Sequence, residues 1–511
     1  MKKIFYSLCF FVTFLSLYAT AQTNGKSQND IKSLKREQSE IKGIRLKTQA
    51  QKGKVLRMEI TANGSFTVKG IEFVEKKDVF GEIYNYYKVL QEEIFIEGDI
   101  VSLSCNHWEL DAIDVSRAPS LEEFYCHDNK PASLDFSHNP QLKKLICSLC
   151  DIKALNLSHN TQLKFLDCSE NDLSELKLEN NKKLRIVSFQ SNKIAQVDLG
   201  SLAELEEFYC DNNLLTSLDC SNNPKLQVLK CNTNQLTSLT LDNLQNLKEL
   251  QCAQNRFKNL SINSASLVEF FISDNVLEHI SLTAPKLEIL VCYGNLLTSL
   301  DLSKCPEMNT LSCHTNKFKT LNLSFSPKLE YLWCNNNELE ELDFSSNPRI
   351  LSITCYSNSI RQKAMEKLIQ TLPAREEAEM ATIILVDSKN ELEKNECSVK
   401  SVNKIKEKQW SVYDYDGGET PYPGVSYEGQ STSNERVHKS SIHLYPNPVT
   451  DYLYLHNEIN ESKEAKLFSE DGNLLLSIPT TNSVEVIDLS TFRSGSYILQ
   501  VGKESKVILK R

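Results

Sequence analysis

A chain of 511 residues with a net charge of −10 and 24% charged side chains is long enough for several domains and a sizeable core. That balance is ordinary for a soluble surface and excludes a protein-wide nucleic-acid footprint. Beyond the first twenty residues no stretch is long and apolar enough to span a bilayer as a helix.

At the start, Lys2 and Lys3 precede an apolar run and then Ala19-Thr20-Ala21. A charged head, a short apolar stretch and a small-x-small site predict a secretory signal over 1–21. Residues 22–54, rich in Lys and Gln, read as a polar spacer. Two strand-like runs around Asn63-Gly64 predict a hairpin, and the alternation that follows predicts an N-terminal β cap over 55–100.

From Val101 to Ser359 the chain keeps a ruler. Trp108, Asn129, Cys150, Asn171, Asn192, Asn213, Asn234, Asn255, Asn275, Asn295, Asn316, Asn337 and Asn358 follow one another at 21 residues, twice at 20. Three residues before each of these stands a Cys, except for Phe189 and Ile272. Leu226, Leu229, Cys231, Asn234, Leu236, Leu239 and Leu241 give the full pattern, L-x-x-L-x-C-x-x-N-x-L-x-x-L-x-L. Recurring thirteen times over about half the chain, it resembles the leucine-rich repeat family. Period-two alternation in both halves of the unit predicts two short strands per coil, so the fold is mainly β. A second Asn column runs through Asn139, Asn160, Asn181, Asn223 and Asn347. Coils stacked at about 4.8 Å would make a solenoid roughly 60 Å long. With β structure on both flanks it should curve less than a horseshoe backed by helices.

Setting aside Cys9, fifteen cysteines remain. In an exported chain they would ordinarily pair, yet the repeat points them inward where other coils place Phe189 or Ile272. Cysteines of one column project in parallel and are poorly aimed for bridging. Packing as modest hydrophobes is the expectation. Cys150, Cys220 and Cys305 also fall on repeat columns; Cys397 lies outside the ruler. The Asn column should close each coil by serving backbone groups that the turn leaves unpaired.

After Ser359 a helix at 361–372, a strand at 381–386, a helix opened by Ser398 and a strand at 411–415 predict an α/β cap over 360–416, with Trp410 in its core. Residues 417–440 read as a linker. The last segment, 441–511, alternates in short runs and predicts a small β-sandwich. Its Tyr445-Pro446-Asn447-Pro448, Asp471-Gly472 turn, Gly495-x-Tyr497 and basic Lys510-Arg511 end resemble the C-terminal sorting domain of type IX secretion cargo in Bacteroidetes. The resemblance implies export across both membranes by that machinery. It also implies removal of the sorting domain, and release or anchoring on lipopolysaccharide. Signal, capped Cys-rich repeats and sorting domain together resemble internalin-like surface proteins.

Chemistry is sparse. Cys147-x-x-Cys150 has the spacing of a redox or zinc half-site, but both residues sit on repeat columns and no second pair lies nearby. Cys126-His127 and Cys313-His314 diverge, because alternation sends each Cys inward and each His outward. No phosphate loop or zinc-protease helix motif appears. No catalytic residue, metal or cofactor is expected. The first strand of each coil offers outward positions three and one before the Cys column and one after it. Over thirteen coils eight of these are aromatic: Tyr125, Phe165, Tyr209, Phe271, Tyr293, Tyr331, Trp333 and Tyr356. The second strand's outward positions hold no aromatic residue and are mostly Ser, Asp, Asn and Thr. Stacked rings also stabilise a sheet by themselves, so recognition and ladder stability are both open readings. The late coils concentrate the rings, and Phe271, Ile289, Val291, Tyr293, His314, Tyr331, Trp333, Asn335 and Tyr356 form the candidate ligand-binding set. The expected function is a non-enzymatic binding protein or adhesin with a protein or glycan partner. Homotypic cohesion, or a secreted enzyme such as a peptidase, are the alternatives.

Overall fold

A computed structural model of the chain describes residues 41–418, 422–430, 442–445, 449–457, 463–469, 473–480, 484–501 and 504–510. The expected signal over 1–21, residues 22–40 of the expected spacer, residues 419–421 and 431–440 of the expected linker, Pro446-Asn447-Pro448, the Asp471-Gly472 turn and Arg511 lie outside the described residues. Two units are present, 1–430 and 431–511.

In the first unit the repeat winds into a solenoid. Leu226, Leu229, Cys231 and Leu236 are fully buried, with Leu239 and Leu241 packed at the margin of the same core. Burying such a leucine contributes roughly 2 kcal/mol, and every coil repeats the set. The first strands form one parallel ladder in unbroken register, from Ile100–Ser104 to Ser352–Thr354, and Leu229, for instance, lies opposite Phe208 and Leu250. Thr382–Val386 and Ser411–Asp414 carry the ladder into the C-terminal cap. Exposed ladder ends would template pairing with other chains. Here Glu59–Ala62 covers one end and Val425–Ser426 the other, both antiparallel.

The second flank departs from the expectation of a strand in every coil. Among the described residues four coils pair there in parallel, Ser217–Asp219 with Ser238–Thr240 and Asn259–Asn263 with His279–Thr283, and the first coil's Leu110–Arg117 pairs antiparallel with the N-terminal cap. Elsewhere an Asp or Asn side chain accepts the N–H of the Ser two residues on, as in Asp135/Ser137, Asn156/Ser158, Asp301/Ser303 and Asp343/Ser345. The same turn stands beside the strands at Asp219/Ser221 and Asp114/Ser116, so it occurs in coils with and without a second strand. The longest of the parallel second strands, of five residues, fall in the two coils that are one residue shorter. The second Asn column works behind these turns. Asn160 donates to the carbonyls of Phe136 and Asn139 one coil back, both at 2.9 Å.

The N-terminal cap begins earlier than the spacer reading over 22–54 allowed. Gly43–Thr48 is a strand with Ile44 and Leu46 buried, paired antiparallel with Glu93–Glu97 and Leu110–Arg117. Its alternation is short and interrupted by Arg45 and Lys47, and its partners are remote in sequence. The chain does bend at Asn63-Gly64, but the flanking strands do not form a hairpin with each other. Glu59–Ala62 joins the solenoid ladder, whereas Thr67–Lys69 joins Glu93–Glu97. The Asn63 side chain instead bonds Asp99 at 3.1 Å.

In the C-terminal cap, helix α1 (Gln362–Thr371) buries Met365, Leu368 and Ile369, and helix α2 (Val399–Glu407) buries Val402 and Ile405. Ser398 caps α2 by accepting the Ser401 N–H. Trp410 is buried and donates its indole N–H to Pro373 at 2.8 Å. The expected linker over 417–440 starts too early. Val425–Ser426 pairs with the last ladder strand, the Tyr427 hydroxyl donates to Cys397, and Gln430 bridges Ser398. Gly, Pro and Ser without periodicity read as a tether, but edge pairing needs only two residues.

The second unit is a β-sandwich around Leu453, Leu455, Leu467, Ile487, Leu499 and Ile508. One sheet holds Ile442–Tyr445, Tyr452–Asn457 and Val484–Asp488; the other holds Leu474–Thr480, Lys463–Ser469, Gly495–Val501 and Glu504–Lys510. Tyr497 of the Gly-x-Tyr motif packs edge-on against Phe492 and donates its hydroxyl to Arg493 at 2.7 Å. Lys510 is buried in the last strand and pairs with Asp451.

Candidate binding face

All fifteen cysteines from Cys105 to Cys397 are buried free thiols. Burial pushes most of these thiols up, to about 12 at Cys292, because the thiolate has no solvation there; the hydrogen bond between Cys150 and Cys126 instead lowers Cys150 and raises Cys126. Cys126 and Cys313 point inward, while His127 bonds Ser148 at 2.8 Å and His314 lies on the outer face.

What holds the face flat is the Asn column. Asn234 donates to Cys210 of the previous coil at 3.0 Å and to Cys231 of its own at 3.3 Å, while its carbonyl accepts the Leu215 N–H at 3.0 Å. The same set recurs along the stack, so each asparagine ties two coils together. The residue before it is left-handed in coil after coil, as at Asp128, Glu170, Thr233, Asp274 and Ser357. That conformation costs roughly 1–2 kcal/mol per residue and is offset by the side-chain bonds it permits. Cys150 takes an asparagine's place and its thiol donates to the Cys126 carbonyl at 3.1 Å.

The eight outward rings divide into two groups. In the early coils they are engaged within the protein. The Lys144 ammonium lies over Tyr125 at 5.1 Å and over Phe165 at 4.8 Å. Tyr125 donates to Glu123 and Tyr209 to Glu207, at 2.9 and 2.7 Å. Burial and the Glu123 carboxylate together push the Tyr125 phenol up to about 12. These rings behave as ladder stabilisers.

In the late coils Tyr331 and Trp333 sit two apart on one strand, their rings stacked at 6.2 Å and 12°. Tyr331 is 39% exposed, and among the described residues neither its hydroxyl nor the Trp333 N–H has a hydrogen-bond partner. Tyr293, two coils before them, stacks on His314 of the intervening coil at 4.4 Å and 7°. Phe271, Ile289 and Val291 complete the surface but are half-buried, since neighbouring strands shield one another. Ladder register lines Phe271, Val291, Ser312 and Trp333 in one row, and Ile289, Thr310 and Tyr331 in the next.

Two members of the expected set do not belong to an open face. Tyr356 is only 8% exposed because Tyr415 of the C-terminal cap stacks on it at 4.5 Å. Asn335, one coil earlier in the same row, is 5% exposed. Alternation sends both outward, but Tyr415 of the C-terminal cap covers Tyr356 at that end of the row. Sequence reasoning also missed neighbours. Tyr422, from the stretch read as linker, brings its hydroxyl to 3.4 Å from Ser352, the register partner of Tyr331. Val276 and Leu296 follow the ladder Asn on consecutive coils and stand 47% and 37% exposed. An apolar residue at a turn position that other coils fill with Lys193, Gln235, Arg256 and Lys317 is the available signal, though Leu214 shows it in an early coil too.

A buried parallel ladder on one flank, turns on the other and capped ends define a leucine-rich repeat solenoid, followed by a β-sandwich. Residues 443–511 match the family model described as the secretion system C-terminal sorting domain. The chain thus carries a type IX sorting domain behind its leucine-rich repeats, which marks it for export to the exterior or the cell surface and for contact with the secretion machinery. No curated protein matches it in sequence. Among solved structures it is similar to the functional domain of InlJ from Listeria monocytogenes, which includes a cysteine ladder. That likeness has 19% identity over 83% of this chain and 94% of that one, with a TM-score of 0.43. A leucine-rich repeat protein of Leptospira interrogans shares 24% identity over 53% of this chain and 81% of its own, with a TM-score of 0.43. The internalin inlF of Listeria monocytogenes shares 16% identity over 61% and 86%, with a TM-score of 0.42.

Proposed function

We propose that this protein is a non-enzymatic binding protein or adhesin displayed on the outer surface, with its late coils as the contact centre. A signal peptide over 1–21 would start the export that the sorting domain completes, and lipopolysaccharide anchoring would follow removal of that domain. The observation that carries the binding assignment is the Tyr331–Trp333 pair, stacked on the outer face with its polar tips unengaged. Rings used only to stabilise the ladder find partners inside the protein, as Tyr125 and Tyr209 do. Aromatic side chains with a polar handle dominate binding hot spots.

The test is the double variant Tyr331→Ser, Trp333→Ser, used in a pull-down from surfaces of other cells, matrix and its own cells. Both residues point away from the core, so the melting temperature should stay within a few degrees. Capture of the partner should weaken by about 2 kcal/mol or more. Unchanged capture, or an unfolded variant, sinks the assignment. Capture of the protein's own cells alone would move the reading to homotypic cohesion.

A further inference from the structure

Resting on that reading, we infer that the partner presented to the late coils is a cationic protein segment rich in Arg and Lys. The two halves of the face differ in how they treat charge. In the early half Lys143, Lys144, Lys164, Arg185, Lys230 and Lys248 stand among the acids, and several pair with them. Glu122 pairs with Lys143 and Glu206 with Arg185, both at 2.7 Å, and Glu249 pairs with Lys230 at 2.8 Å.

The late half leaves its acids alone. Glu269, Asp274, Glu288 and Glu330 have no ion-pair partner among the described residues. The five segments that build this face, 268–274, 288–294, 309–315, 330–336 and 351–357, contain no Lys or Arg at all. Their one basic group, His314, is held below its ordinary value by burial, so it adds no positive charge at neutral pH.

The acids frame the rings. Glu330 directly precedes Tyr331, Glu269 is the register partner of Ile289, and the Asp274 carboxylate lies against the backbone of Gly294, beside Tyr293. At a strand spacing of about 4.8 Å, Glu288 and Glu330 stand roughly 10 Å apart, two coils along the stack. A guanidinium or ammonium can lie on the exposed ring faces of Tyr331 and Trp333 while its neighbours reach the carboxylates. An anionic glycan or phosphate would meet uncompensated repulsion on the same surface.

The test uses the purified exported chain and three labelled probes: nona-arginine, neutral cellohexaose and a heparin hexasaccharide. The variants are Glu269→Gln, Glu288→Gln, Glu330→Gln combined, and Tyr331→Ser, Trp333→Ser combined. A control, Glu170→Gln, Glu175→Gln, Glu179→Gln combined, removes the same charge from elsewhere. Nona-arginine should bind the wild type and weaken at least tenfold in both face variants. It should change less than twofold in the control, and fall steeply as salt is raised. If the control weakens binding as much as the face triple, the attraction is diffuse and the inference is overturned. If cellohexaose or the heparin fragment binds, loses binding only in the aromatic variant and ignores the glutamines, the face remains a recognition site but its partner is not cationic. If no probe depends on Tyr331 and Trp333, the recognition reading falls, and this inference with it.

Discussion

Pro131 and Cys150 answer one another across adjacent coils. In every coil from Leu110 to Leu339 that has a ladder asparagine above it, the residue two past the column donates its N–H to that asparagine's Oδ1, as Leu110 does to Asn129 and Ile152 to Asn171. At the one place where this donor would be a proline, without an N–H, the residue above is Cys150 instead of Asn. Its thiol keeps the donating half of the role, reaching the Cys126 carbonyl at 3.1 Å, and nothing is left for an amide oxygen to accept.

This pairing predicts a double-mutant cycle. Cys150→Asn alone should destabilise by about 1–3 kcal/mol, because it buries a carbonyl oxygen without a donor. Pro131→Leu alone should also destabilise, by freeing an N–H without an acceptor. The double variant should recover about 1–2 kcal/mol relative to the sum of the singles. Chemical denaturation of the four proteins checks it, and strict additivity would refute the pairing.

The column cysteines should remain thiols after export. Alkylation of the native chain should be slow, since burial holds the groups protonated, as at Cys220, pushed up to about 12. Under denaturing, non-reducing conditions nearly all should label. Cys252→Val should cost under about 1.5 kcal/mol, as a near volume-conserving exchange. Cys252→Ser should cost about 1–3 kcal/mol by burying a hydroxyl. Finding most column cysteines in bridges by mass spectrometry would contradict the packing role.

His314 should make stability depend on pH. Burial lowers its pKa from the ordinary 6.5, and Asp274 opposes this only partly. The folded protein therefore binds this proton less readily than the unfolded chain, so stability is lost as pH falls below about 6.5. His314→Phe, which keeps a ring on Tyr293, should show a shallower loss than the wild type between pH 6.5 and 5. Comparing the two by denaturation cancels other groups with raised values, such as Glu393 and Asp211. Parallel curves would remove His314 from the account.

Deleting 441–511 should leave the solenoid folded, because each unit has its own core. The truncated protein should melt as the full-length solenoid does and accumulate in the periplasm. Surface labelling of the truncated protein at wild-type levels would contradict the sorting role.

Repetition is what made the solenoid legible in sequence. A 21-residue ruler with Leu and Cys at fixed offsets states which side of its own coil each residue faces, and Leu229, Cys231 and Asn234 all lie where the pattern sends them. Local chemistry was equally readable at Ser398, whose hydroxyl caps a helix, and at Trp410, whose bulk closes the end of the stack. Periodicity is silent, however, about what arrives from elsewhere in the chain. Tyr356 carries the same outward signal as Tyr331, yet one lies beneath Tyr415 and the other stays open. Gly43–Thr48 looked like spacer until strands more than forty residues away supplied its pairing. The Ser- and Asp-rich second flank alternates like a strand throughout, yet it pairs in parallel only at Ser217–Asp219 with Ser238–Thr240 and Asn259–Asn263 with His279–Thr283 among the described residues. Burial on a coil follows from that coil's own residues; exposure on its outer face is decided by long-range contacts, which only the folded chain brings together.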